Sequence, residues 1–453
     1  MKLFPNISTS GLFRLTHKTQ PAGLALLLAT AVLAPFPASA QEAPLLWDST
    51  KFFQYNIHSA AFDSVSRTVT VVFSVTNPQA AQTPYNIRSG TPPFRAPATL
   101  RVNVGWNAGT WGTAELVNTG SNPGTTAMNN VIRNWMNSTP PNPGGIGPAY
   151  PNVVNALTAA NPCTAAGSPC AGVANAALTF WVRNVLPLQA AGAGRVAIEG
   201  HPSIQTGIDA VGAPVFGSVP VKSVYKDYAI TAGSVARRQV VDFNKCKVCH
   251  DGGQHGDVIV PRLSLHGANR NEEPGLCVMC HNPNQTDAAY RSSGAEESID
   301  LKRMVHGIHA GGFRKSPLVI VGFRGALLDF STVRFPSELR NCVTCHIDKN
   351  GKGTFELPLA SKLGSTVVSA SSLNPLPGWV DVNPANDLRI SPIAATCSAC
   401  HDSSEIKQHM ISKGASFGAV QSVLEGKEQC VTCHGPGQEH SVRSAHQIGS
   451  IDR

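Results

Sequence analysis

Five times between residues 246 and 434 the chain writes Cys-x-x-Cys-His: Cys246/Cys249/His250, Cys277/Cys280/His281, Cys342/Cys345/His346, Cys397/Cys400/His401 and Cys430/Cys433/His434. Two thiols at this spacing share one turn and can add to the two vinyl groups of one porphyrin. The adjacent His then lies under the iron as an axial ligand. A structural zinc site needs a second ligand pair and has no use for a His after every second Cys. The motifs therefore predict five covalently bound haem c groups.

The sixth ligand of each iron separates a conductor from a substrate-binding haem, because a six-coordinate iron has no open position. Outside the motifs, His255, His266, His306, His309, His409, His440 and His446 lie in the same half, seven candidates for five positions. His266, His306, His309, His409 and His446 are the expected distal ligands. His255 and His440 follow motif histidines in short turns and are expected to face solvent or to substitute for one of the five. Met304 and Met410 each adjoin a candidate His and read as core or surface residues. His306 and His309 stand three apart, on one helical face with Cβ atoms about 5–6 Å apart. They cannot bind opposite faces of one haem and so should serve two.

Those side chains need a scaffold, and the chain has two kinds of text. Residues 41–240 read as β structure. Val69, Val71, Phe73 and Val75 alternate with Thr68, Thr70, Ser74 and Thr76, apart from an apolar Val72; Leu100, Val102, Val104 and Trp106 alternate with polar residues. Such period-two patterns mark half-buried strands, with further candidates at 176–186, 194–199 and 219–230. Residues 118–170 are rich in Gly, Pro, Asn and Ser and read as loop. A β-sandwich or Greek-key barrel is expected here. Cys163 and Cys170, the two cysteines outside the motifs, suggest a disulfide closing a small loop, with a redox-active pair as the alternative. His58 and His201 fall in this half and are expected at the surface, His201 with a chance of approaching a haem edge. Residues 241–453 hold all five motifs in 213 residues. That is too little polypeptide for five separate pockets, so the porphyrins must supply much of the core and lie close together. Short helices are expected over 298–310 and 396–411, with loops elsewhere: a β domain followed by a loop-rich pentahaem c domain.

The first 40 residues read as a secretory signal peptide, with Lys2, Arg14 and Lys18 before the apolar run Ala22–Ala34 and a small-residue site at Ala38-Ser39-Ala40. The run is shorter than the roughly 20 residues that span a bilayer, and no Cys marks a lipid-anchor site. An exported protein without a transmembrane helix is expected. The formal charge of +8 falls to +5 without the three leader cations. Each ferric haem contributes roughly −1 through its propionates, so the loaded protein is near neutral or acidic. The sequence pI of 8.9 is thus no argument for nucleic-acid binding, and basic clusters interleaved with aromatics are missing.

From Arg237-Arg238-Gln239-Val240-Val241-Asp242 onward the chain resembles the OmcA/MtrC-type outer-membrane multihaem cytochromes. The resemblance is carried by Leu263-Ser264-Leu265-His266-Gly267 with Asn269-Arg270, Cys280-His281-Asn282-Pro283-Asn284, Met304-Val305-His306-Gly307-Ile308-His309-Ala310-Gly311, Phe335-Pro336 before Arg340-Asn341-Cys342, Ser391-Pro392-Ile393-Ala394 before Cys397, Cys430 to Pro436, and His446. It implies a β domain preceding a pentahaem domain and assigns distal positions to the same five histidines. Family members commonly have ten haems and lipid anchors, so this chain resembles one half of such a protein without the anchor. The resemblance implies electron relay from a periplasmic or outer-membrane donor cytochrome to an extracellular acceptor such as a metal oxide or another cytochrome. An outer-membrane porin is a further candidate partner, and the outer-membrane surface, the extracellular space or the periplasm the expected location. Two rival readings remain: a multihaem reductase with one open iron for nitrite, a sulfur oxyanion or peroxide, and a docking subunit whose β half binds a porin or filament.

Overall fold

A computed structural model describes residues 43–107, 152–186, 190–288, 290–291, 294–358, 363–369, 387–424 and 427–449. The expected signal peptide and residues 118–151 of the expected loop lie outside them. Residues Ala43–Arg453 form one compact unit.

The β half is a two-sheet sandwich. Strands β1 (Gln54–Asp63), β2 (Thr68–Asn77), β5 (Asn161–Pro162) and β6 (Phe180–Val185) form one sheet in the order β1-β2-β6-β5, with Thr83–Pro84 paired to the end of β2. Strands β3 (Thr99–Asn107), β4 (Asn152–Asn155), β7 (Ala191–His201) and β10 (Val224–Ala229) form the other in the order β10-β7-β3-β4. Strands β8 (Ser203–Ile208) and β9 (Pro214–Ser218) make a separate hairpin. Every ladder here is antiparallel.

The period-two residues face one shared core. Val69, Val71, Phe73 and Val75 from β2 meet Leu100, Val102, Val104 and Trp106 from β3, all fully buried. Burying one such side chain stabilises the fold by about 1.5–3 kcal/mol. Val72 breaks the alternation because it packs on the other face of its sheet, against Trp181, Cys163 and Cys170. Those cysteines form a disulfide with Cα atoms 5.5 Å apart.

Several expectations need correction. The described part of the expected loop carries β4, a helical turn at Ala156–Ala159 and β5. The strand expected at 219–230 begins only at Val224, and that expected at 176–186 only at Phe180. His58 is exposed, as expected. His201 is buried, its Nδ1 3.3 Å from the Pro202 carbonyl.

The haem half has little regular structure: short two- and three-residue ladders and short helices, two of them the single turns Phe243–Cys246 and Val431–His434 at motifs and four others longer. The four longer ones are α1 (Pro274–Cys280), α2 (Leu301–Ala310), α3 (Pro392–Cys397) and α4 (Ser404–Ser412). The helix expected over 396–411 is two helices. Asp402 turns its carboxylate to the Lys315 and Ser316 amides, and the Ser403 hydroxyl caps α4 by accepting from Ile406 N. Those bonds favour extended backbone between the helices over continued helix.

Candidate functional site

All five Cys-x-x-Cys-His segments close the same turn. The backbone N–H of each motif His donates to the carbonyl of the first Cys, at 2.9 Å for His250, His346, His401 and His434 and 2.8 Å for His281. Both thiols and the imidazole are thereby presented from one turn.

The attachment cysteines are not all equally enclosed. Cys246, Cys249, Cys277, Cys280, Cys342, Cys345, Cys397, Cys400 and Cys430 are half-buried, whereas Cys433 is exposed. The cause is local: Thr432 and residues 436–440 on either side of the last motif are exposed as well, so its second thiol faces solvent. Cys433 nevertheless keeps its place in the turn, its N–H donating to Cys430 O at 3.3 Å.

Each motif imidazole faces one of the other histidines. Ring centroids lie 6.1 Å apart for His250 and His309, 6.0 Å for His281 and His266, and 6.0 Å for His346 and His306. They lie 6.0 Å apart for His401 and His446, and 6.2 Å for His434 and His409. Two imidazole nitrogens sharing a metal at about 2 Å each stand roughly 4 Å apart, with each ring centroid about 1 Å behind, so a shared ion requires ~6 Å between centroids. The residues present therefore fit a porphyrin iron between each pair, with the motif thiols beside it.

Hydrogen bonds orient most of these rings. Nδ1 donates to Pro261 O from His250 (2.9 Å), to Ile299 O from His281 (3.0 Å), to Val305 O from His309 (2.9 Å), to His440 O from His434 (2.8 Å) and to Val442 O from His446 (3.0 Å). The Lys302 backbone does the same for His306. A proton held on Nδ1 leaves the Nε2 lone pair free for a metal. Burial holds His266, His281, His306, His309 and His401 below the usual imidazole range, and pushes His346 down to about 3. Buried neutral imidazole is the ligating form.

Helix α2 shows how the sequence builds this. Asp300 caps it, its carboxylate accepting from Lys302 N at 3.4 Å. One helical face then sends His306 to His346 and His309 to His250, the rings of two different motifs. Gly307, between them, lies against Leu318, where an added Cβ would come within 3.0 Å of a Leu318 methyl.

The motifs also touch one another. Asp242 N donates to Cys345 O at 3.1 Å and Lys245 Nζ to His346 O at 2.7 Å. The Cys400 thiol lies 3.8 Å from His306 O. Glu428, two residues before Cys430, accepts from Ile393 N at 2.8 Å and Ala394 N at 2.9 Å, in the helix that carries Cys397. In space the motifs at 430, 397, 342 and 246 are successive neighbours. The motif at 277 instead packs on the β half, where Leu276 and Met279 bury against Ala197.

The remaining candidates sit elsewhere. His255 pairs with the Asp251 carboxylate at 3.0 Å. The His440 ring centroid is 6.4 Å from that of His434, but its carbonyl is what meets His434 Nδ1. Met410 is core, packed with Ile390, Ala394 and Ala395. The carbonyl acceptors, and a buried Arg101–Glu199–Arg270 cluster beside the 277 motif, were not foreseen. Backbone acceptors leave no mark in residue type, whereas a Glu in an apolar strand and the Asn269-Arg270 pair beside His266 were visible signals.

Residues 238–447 match the family described as outer membrane cytochrome MtrC/MtrF-like, domains II/IV. A search of curated proteins finds no match. Among solved structures, MtrC from Shewanella baltica OS185 aligns with a TM-score of 0.45 and 12% identity, covering 87% of this chain and 54% of that one. The chain thus spans about half the length of that structure. No helix among the described residues is long and apolar enough to cross a membrane. Over residues 238–447 the chain is thus similar to the MtrC/MtrF-like outer membrane cytochromes, a family that binds haem c.

Proposed function

We propose that this protein is an exported pentahaem c-type cytochrome that relays electrons to an extracellular acceptor, a metal oxide, a soluble metal complex or another cytochrome. The observation that carries the reading is the pairing of all five motif imidazoles with a second imidazole at 6.0–6.2 Å. When bound, haem c supplies the one-electron chemistry. The ten motif cysteines, from Cys246 to Cys433, would hold it covalently, and the ten paired histidines would close both faces of each iron. A closed iron passes electrons and leaves no place for substrate, which favours a relay over a reductase for nitrite, sulfur oxyanions or peroxide.

The contacts between successive motifs support a path through the attachment sites at 430, 397, 342 and 246, with the site at 277 beside the β half. We place the boundary between the β and haem domains near residue 240, close to the start of the family match at 238. The electron donor is a periplasmic or outer-membrane cytochrome, and a porin is a candidate neighbour in the membrane. The family match supports a location at the outer-membrane surface, with the periplasm as the alternative.

The reading is tested by mixing dithionite-reduced holoprotein with ferric citrate or ferric oxide particles and following the haem α-band. Rapid loss of the reduced band with every haem participating is the expected result. Slow oxidation by these acceptors together with steady turnover of nitrite or peroxide would instead identify a reductase.

A further inference from the structure

One of the five attachment sites is built partly from the β half. His266 sits at the tip of a short hairpin in which Ser264 and Leu265 pair with Asn271 and Arg270. His266, Gly267 and Ala268 are all left-handed, with φ of 55°, 67° and 62°. For the two residues with a Cβ this backbone is strained, so the tip needs external support.

That support comes from the β half, from a strand residue, Gly200, and from the segment before β10. Gly200 N donates to Asn269 O at 2.8 Å, Ser223 N to Asn271 O at 2.9 Å, and Asn271 Nδ2 to Val221 O at 3.0 Å. Asn269 Nδ2 ties the tip by donating to His266 O at 2.7 Å. At the centre is Glu199, fully buried, which accepts from Arg270 Nε at 2.7 Å and lies 3.6 Å from Arg101 Nη1. One carboxylate thus stands between two guanidinium groups in a site shielded from water, with Arg270 on the side of His266. The Arg270 charge reaches His266, His281, Cys277 and Cys280, both proposed axial ligands and both attachment thiols of a single haem.

We propose that the Arg101–Glu199–Arg270 cluster sets the reduction potential of the haem attached at Cys277 and Cys280, holding a buried cation against it from the β half. The proposal rests on the relay reading, in that His266 and His281 must share an iron. A buried cation favours the ferrous state, whose site carries one positive charge fewer, and low dielectric strengthens the effect. Arg270 acts at a distance from the iron and also fixes the hairpin that carries His266, so it is a positioning residue.

The test is a potentiometric titration of full-length holoprotein, with low-spin haems counted by electron paramagnetic resonance. Arg270→Gln is expected to lower the midpoint of one haem in five and Glu199→Gln to raise it, with the other four unmoved and all five low-spin. Opposite shifts from the two variants are a signature that general loosening of the fold does not produce. Unmoved midpoints, or shifts of the same sign in both, overturn the proposal. Should Arg270→Gln fail to accumulate, Glu199→Gln decides alone: an upward shift of one haem supports the cluster, and any other result refutes it. A wild-type protein with fewer than five low-spin haems contradicts the relay reading instead.

Discussion

At the scale of the residue, the proposal turns on ten imidazoles that face each other in five pairs. Each Nδ1 bond to a carbonyl costs the chain one backbone acceptor and fixes one ring, so an outer hydrogen bond is spent on the ligand's orientation. His306 is the clearest case: burial keeps it uncharged, the Lys302 backbone takes its proton, and His346 stands opposite. His306→Ala should leave one haem with a single axial ligand. Carbon monoxide titration of the ferrous protein then reads about one equivalent bound where the parent binds none, and retention of five closed haems would show that His306 is not a ligand. The motif histidines and the candidate pool were legible because residue type and spacing carry them. Which ring faces which was not, since it depends on long-range packing such as the return of His309 to His250 and of His446 to His401. Nor was the exposure of Cys433, because all five motifs read alike and only the surrounding fold tells them apart.

At the scale of the element, helix and strand positions were readable where an apolar period had time to repeat. β2 and β3 show this, as does α2 with its two histidines. The failure over 396–411 has a local cause: Asp402 and Ser403 offer the backbone side-chain partners that compete with helix. Asp402 also gives a pH prediction. Burial opposes its ionisation, but the Lys315 and Ser316 amides and the Arg314 charge outweigh that and hold its carboxyl below the usual range. A depressed folded pKa contributes stability above the ordinary carboxylate value of about 3.9, lost as pH falls through the folded value. Asp402→Asn should therefore destabilise by about 1.5–3 kcal/mol at neutral pH, with the difference from the parent vanishing in acid; denaturant melts at several pH values check it. Removing the 163–170 clip by Cys163→Ser with Cys170→Ser should cost about 2 kcal/mol through the unfolded chain and leave the haem spectrum unchanged. A shifted spectrum or altered electron delivery would give that disulfide a redox role.

At the scale of the whole molecule, the β half and the haem half are not strangers joined by a linker. Glu199, Gly200, Val221 and Ser223 of the sandwich bond the hairpin that presents His266. The two grammars of the sequence were plain, but the seam between them was not, because much of it is backbone bonding from Gly200, Val221 and Ser223, which residue type does not mark. Intact-protein mass of the exported chain should exceed the polypeptide by five haem groups. The central claim, that five irons are each closed by two histidines, is tested most directly by quantitative electron paramagnetic resonance of the fully oxidised protein. Five low-spin ferric haems per chain, with no high-spin signal, is the predicted spectrum. A high-spin component amounting to one haem or more would mean an open iron, and the molecule would be an enzyme at that site.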